Sequence, residues 1–110
     1  MPVETKQLES GIAVISISGR LALGGETGKL DAALTELLTQ GHRHVVLDLT
    51  GLDYVDSSGL GMLVDCLTRI KKAGGEMKVA GPNARIRRIL SMTGVGSMLS
   101  LYESVAATGA

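Results

Sequence analysis

Four consecutive residues, Asp56-Ser57-Ser58-Gly59, set two hydroxyls between a carboxylate and a glycine. They follow a strand-like apolar run and open a long amphipathic one. The serines therefore belong at or next to a helix N-terminus, where unpaired backbone N–H groups and the positive end of the dipole point outward. Hydroxyls there can cap the helix, act as nucleophiles or accept a phosphate. A nucleophile needs a base, and the only histidines, His42 and His44, precede the strand whose far end leads to the serines. Five strand residues at about 3.3 Å each keep the two ends roughly 17 Å apart, beyond hydrogen-bond reach. No G-x-S-x-G elbow surrounds either serine. Ser–His hydrolysis is thereby set aside, and a cap or a phosphate acceptor remains.

The other reactive residue types carry less. Gly24-Gly25-Glu26-Thr27-Gly28-Lys29 imitates a phosphate loop, but that pattern needs glycine and a hydroxyl where Leu23 and Leu30 stand. Gly59-Leu60-Gly61 and Gly94-Val95-Gly96 lack the third spaced glycine of a dinucleotide fingerprint. Cys66 lies in a helix that is apolar on most sides and reads as a packing thiol. One cysteine and two loop histidines make no ligand set, so neither metal nor cofactor is expected. Asp48, Asp53 and Asp56 fall on a strand, a loop and a cap, and form no acid–base pair. Arg85, Arg87 and Arg88 read as a solvated helix face, with contact to a partner's acidic groups as the other reading. No catalytic residue is assigned, and the chain reads as a non-enzyme.

The elements that must position the serines follow from periodicity. Residues 45–49 (VVLDL) form a central strand, nearly continuous in apolar residues as a strand covered on both faces would be. Residues 50–55 read as a turn-rich connection. The helix that follows carries Leu60, Leu63, Val64, Leu67 and Ile70 on one face, widened by Met62 and Cys66, with Lys71 and Lys72 in its last turn. Upstream, residues 5–8 make a short first strand and 12–18 (IAVISIS) a second, ended by Gly19. Residues 20–25 are a loop with Gly24-Gly25 as breaker, before a helix with Leu30, Ala33, Leu34, Leu37 and Leu38 inward. Downstream come a strand at 77–80, a short helix with Ile86, Ile89 and Leu90 inward, and a strand at 98–101. Residues 103–107 form at most a short helix. The alternation predicts an α/β fold: one domain over residues 1–110, with a mixed, mainly parallel sheet of 4-5 strands and alternating helices.

Composition narrows the function classes. The chain is 45% apolar, has zero formal net charge, no Trp or Phe and two tyrosines. Zero net charge removes the general electrostatic argument for nucleic acid, and aromatic stacking platforms are not expected. A lone cysteine suits a reducing compartment, and no apolar run approaches a membrane span or signal peptide. A cytoplasmic binding module, with no nucleic-acid partner and no membrane span, is expected.

The residues 45–61 (VVLDLTGLDYVDSSGLG), the strand ending in Gly19, the helix ending Lys71-Lys72-Ala73-Gly74-Gly75, and Gly81-Pro82-Asn83 through Met92-Thr93-Gly94 resemble the anti-sigma-factor antagonists, the bacterial STAS domains. The resemblance implies a single STAS-type domain and a transcription regulator that works by partner switching. The unphosphorylated antagonist would bind an anti-sigma factor that is also a serine protein kinase, and release a sigma factor. Phosphorylation of the first serine of the element, here Ser57, would break that binding. Partner contacts are expected at Arg20, Ala22, Glu26, Asp56, Ser58, Gly59, Leu60, Met62 and Asn83. Ala22 stands where the family's acidic run ends in aspartate, so Arg20 or Glu26 is expected to supply polar contact instead. The competing reading is a constitutive STAS scaffold or transporter-accessory module without phospho-switching; weak self-association stays open under either.

Overall fold

A computed structural model describes residues 3–23 and 26–110. The reading of Gly24-Gly25 as a breaker lies outside them. In chain order the elements are β1 (Val3–Gln7), β2 (Ala13–Ile17), β3 (Gly19–Leu21), α1 (Glu26–Thr39), β4 (His44–Asp48), β5 (Leu52–Val55), α2 (Ser57–Lys72), β6 (Glu76–Ala80), α3 (Ala84–Thr93) and β7 (Ser100–Tyr102). Short 3-10 turns occupy Val95–Met98 and Ala106–Thr108.

Five strands form one sheet in the order β1-β2-β4-β6-β7, antiparallel between β1 and β2 and parallel elsewhere. The expected mixed, mainly parallel α/β sheet is therefore present, with β4 at its centre. Val45 and Leu47 point to the helical side, where Leu30, Leu34 and Leu37 of α1 and Leu63, Leu67 and Ile70 of α2 are buried. Each such leucine stabilises the fold by roughly 2 kcal/mol relative to exposure. Val46 faces the other side and is buried with Val14 and Ala80 beneath Leu8, Ile12, Val105 and Ala110. Coverage of both faces explains the nearly continuous apolar run.

Two expected loops are strands instead. The segment after Gly19 continues as β3, and the connection after Thr50 contains β5; the two pair parallel as a separate two-stranded sheet. Gly19 sits at φ +76°, a conformation that only glycine adopts without strain, and its N–H donates to Gly51 O at 2.9 Å. Both chains thus leave the main sheet at a glycine and pair again beyond it. The boundaries of the weaker elements also move. The first strand is Val3–Gln7 rather than 5–8, because an edge strand with Glu4, Thr5, Lys6 and Gln7 exposed shows no apolar alternation. Residues 95–98 are a 3-10 turn and the last strand begins at Ser100.

Candidate functional site

The small β3–β5 sheet carries the D-S-S-G element. β5 ends at Val55, Asp56 follows with extended backbone, and α2 starts at Ser57. Asp56, not a serine, is the N-cap: its Oδ1 accepts the Gly59 N–H at 2.8 Å. Its Oδ2 accepts the Leu23 N–H at 3.2 Å, and its own N–H donates to Leu21 O at 3.3 Å. One residue therefore closes the helix start and holds the segment after β3 beside it. Thr27 Oγ1 donates to Ala22 O at 3.5 Å, bringing the first turn of α1 to the same place.

With Asp56 as cap, the serines are released from that duty. Ser57 is exposed and Ser58 half-buried, and neither hydroxyl is hydrogen-bonded among the described residues. Capping by the Ser57 hydroxyl is corrected: a carboxylate one residue earlier reaches the Gly59 N–H first.

The Gly59 and then the Leu23 N–H hold the Asp56 carboxyl below its ordinary value of 3.8. The unfolded chain takes up that proton more readily than the folded one. Stability from this group is thus full above the ordinary carboxylate range and lost as pH falls through the depressed value. Asp56→Asn keeps an acceptor but no charge, and should flatten the acid limb of stability below about pH 4. Asp56→Ala should also lower the denaturation midpoint at neutral pH. Urea titrations across the acid range check both; an unchanged acid limb in Asp56→Asn would sink the charge argument.

The structure distributes the expected contact residues unevenly. Arg20, Ala22, Glu26, Asp56, Ser57 and Ser58 gather at the ends of β3 and β5 and the starts of α1 and α2. Arg20 is exposed and stacks its guanidinium 4.6 Å over the Tyr54 ring. Leu60 and Met62 are half-buried against the core. Gly59 is buried, and a Cβ there would overlap the Leu21 carbonyl oxygen, so its part is close packing beneath the site. The Asn83 side chain accepts the Ile86 N–H at 2.9 Å and donates to Leu52 O at 3.1 Å, which ties α3 to β5. Two exposed apolar groups stand beside the expected contact residues: Leu23, within the 20–25 segment that also holds Arg20 and Ala22, and Tyr54, which was not expected there. Leu23 is 80% exposed and Tyr54 40%. An isolated leucine between Ala22 and two glycines was the available signal for the first. Tyr54 was hidden by reading β5 as a turn.

Away from this face, Cys66 is buried in α2, and burial followed by the neighbouring Asp65 charge pushes its thiol up to about 12. It is a packing group. No three His, Cys, Asp or Glu side chains cluster as metal ligands among the described residues, and no helix there is long and apolar enough to cross a membrane.

The STAS domain family model matches residues 4–108. The chain belongs to the STAS domain family. The anti-sigma F factor antagonist of Paenibacillus polymyxa is 38% identical over 61 residues, 56% of this chain and 52% of that protein. Two Thermotoga relatives, 30% identical over 70 residues, are likewise matched over only 62% of their own length. Among solved structures, an anti-sigma factor antagonist from Mycobacterium paratuberculosis superposes with a TM-score of 0.82 at 22% identity, covering 94% of this chain and 86% of that one. Bacillus SpoIIAA, an anti-sigma factor antagonist solved in unphosphorylated and phosphorylated forms, gives a TM-score of 0.74 in each. Its identity is 15% and 18%, with 97% of this STAS domain covered and 93% and 96% of SpoIIAA. At these identities the structural likenesses establish the fold.

Proposed function

We propose that this STAS domain is an anti-sigma-factor antagonist whose binding is switched by phosphorylation of Ser57. The observation that carries the reading is the exposed Ser57 hydroxyl at the first residue of α2, which makes no hydrogen bond among the described residues because Asp56 supplies the cap. A kinase can reach such a hydroxyl without unfolding the helix. The helix N-terminus can then accommodate the added phosphate, worth about −1.5 to −2 charges. The same phosphate changes the docking face sharply, because it follows Asp56, whose carboxylate accepts the Leu23 N–H. A partner packing apolar groups against this face would have to bury an unpaired charge. The partner is an anti-sigma factor with serine-kinase activity. The domain itself contributes a surface and an acceptor, with no catalytic step and no cofactor.

Incubation with the serine-kinase anti-sigma factor of the same genome and ATP, followed by intact-mass and fragment analysis, tests the reading. One added phosphate on Ser57 is expected, and Ser58→Ala should still accept it. Phosphate on neither serine, with partner binding retained, would leave a constitutive STAS scaffold.

A further inference from the structure

Helix α3 contains three arginines and no acidic residue, and buries Ile86 and Leu90 in the core. At 3.6 residues per turn, Arg85, Arg88 and Met92 then lie along one outer stripe. All three are exposed, Met92 at 79%. None of Arg85, Arg87 and Arg88 makes an ion pair or hydrogen bond among the described residues. By contrast, Arg69 is engaged by Asp31 at 2.6 Å, and Arg20 lies over Tyr54. Three unpaired guanidinium groups within four residues are a marked local excess on a chain of zero net charge. A shallow groove of about 260 Å³ runs beside Ala84, Arg85 and Arg88. A second, of about 400 Å³, lies between Arg87 and Leu101 with Gly94 and Gly96 in its wall.

We propose that the outer face of α3 docks an acidic, amphipathic segment of a protein partner. Carboxylates of that segment would pair with the planar forks of Arg85 and Arg88, which suit bidentate recognition. An apolar side chain would pack on Met92, whose flexible thioether adapts to varied shapes. Charge complementarity selects this occupant over the alternatives. Polyanion binders neutralise about 6–10 phosphates, and lipid-binding basic clusters hold about 4–8 Lys or Arg, more than this stripe offers. The surface belongs to α3 and does not depend on Ser57 being a switch.

The test uses the full chain, isotope-labelled, titrated with a synthetic helical peptide that alternates Glu and Leu at helical spacing, and with its Gln-for-Glu counterpart. The Glu peptide should shift the Arg88 amide and the Met92 methyl resonances. Arg85→Glu with Arg88→Glu should weaken it by about tenfold or more, and added salt should weaken it too. Both arginines are exposed and unpaired, so the double variant should fold; unchanged core resonances verify that. Equal binding of the Gln peptide, or an unaltered affinity in the double variant, would overturn the proposal. So would phosphatidylglycerol vesicles or duplex DNA shifting the same resonances more strongly than the Glu peptide.

Discussion

Gly59→Ala should destabilise the protein by about 3 kcal/mol, although alanine is the better helix former by about 1 kcal/mol. Two effects oppose each other, and geometry decides between them. A methyl group at this position would overlap the Leu21 carbonyl oxygen and stand 2.6 Å from Val55 Cγ2. Neither neighbour is the free end of a flexible side chain. The carbonyl belongs to β3 and already accepts the Asp56 N–H, while Val55 is only 4% exposed. Relief would require α2 to lift away from β3, which would also stretch the Asp56 bonds to Leu21 and Leu23. Gly61→Ala, two residues along the same helix, is the control: outside its own helix, nothing among the described residues lies within 4 Å of its Cβ position. There only propensity acts, and a gain of about 0.5–1 kcal/mol is expected. Urea unfolding of the two variants measures both. A wild-type midpoint for Gly59→Ala would mean that α2 is not seated on β3 as described.

The legible and illegible parts of this fold divide by how much apolar surface each element buries. The helix faces of α1 and α2 and the central strand were readable because Leu34, Leu63 and Val45 must reach the core at fixed spacing. The two strands β3 and β5 were not. They have three and four residues, and each exposes its middle: Arg20 in β3, Asp53 and Tyr54 in β5. Their pairing is specified by what surrounds them, with Gly19 turning the chain and Leu21, Leu52 and Val55 buried beneath. The site inherits that division. Asp56, Ser57 and Ser58 follow from the helix start and Leu23 from the 20–25 segment, whereas Tyr54 depends on β3 and β5 lying side by side. The identity of the cap depended on whether Asp56 or Ser57 adopts extended backbone, a choice that both residue types permit.

Under the proposed switch, Ser57→Asp should fold normally and lose affinity for the proposed anti-sigma partner by about 100-fold or more, equivalent to about 2.7 kcal/mol. Folding is spared because the first turn of a helix favours a carboxylate by about 0.3–1 kcal/mol, which offsets the repulsion from Asp56. Affinity is not spared. The new charge lies next to Asp56, so a partner closing over this face must desolvate two adjacent carboxylates. Ser57→Ala should behave oppositely. It removes a hydroxyl that makes no hydrogen bond among the described residues, so its stability should stay within about 0.5 kcal/mol of wild type. It should also bind the partner whether or not ATP is present, because no phosphate can be added. Had Ser57 been the cap, the alanine variant would instead lose about 1 kcal/mol. Calorimetric titration of the three proteins with the kinase, with and without ATP, reads every arm. Affinity of Ser57→Asp within a few-fold of wild type would refute the switch and place the partner's contact elsewhere on the domain.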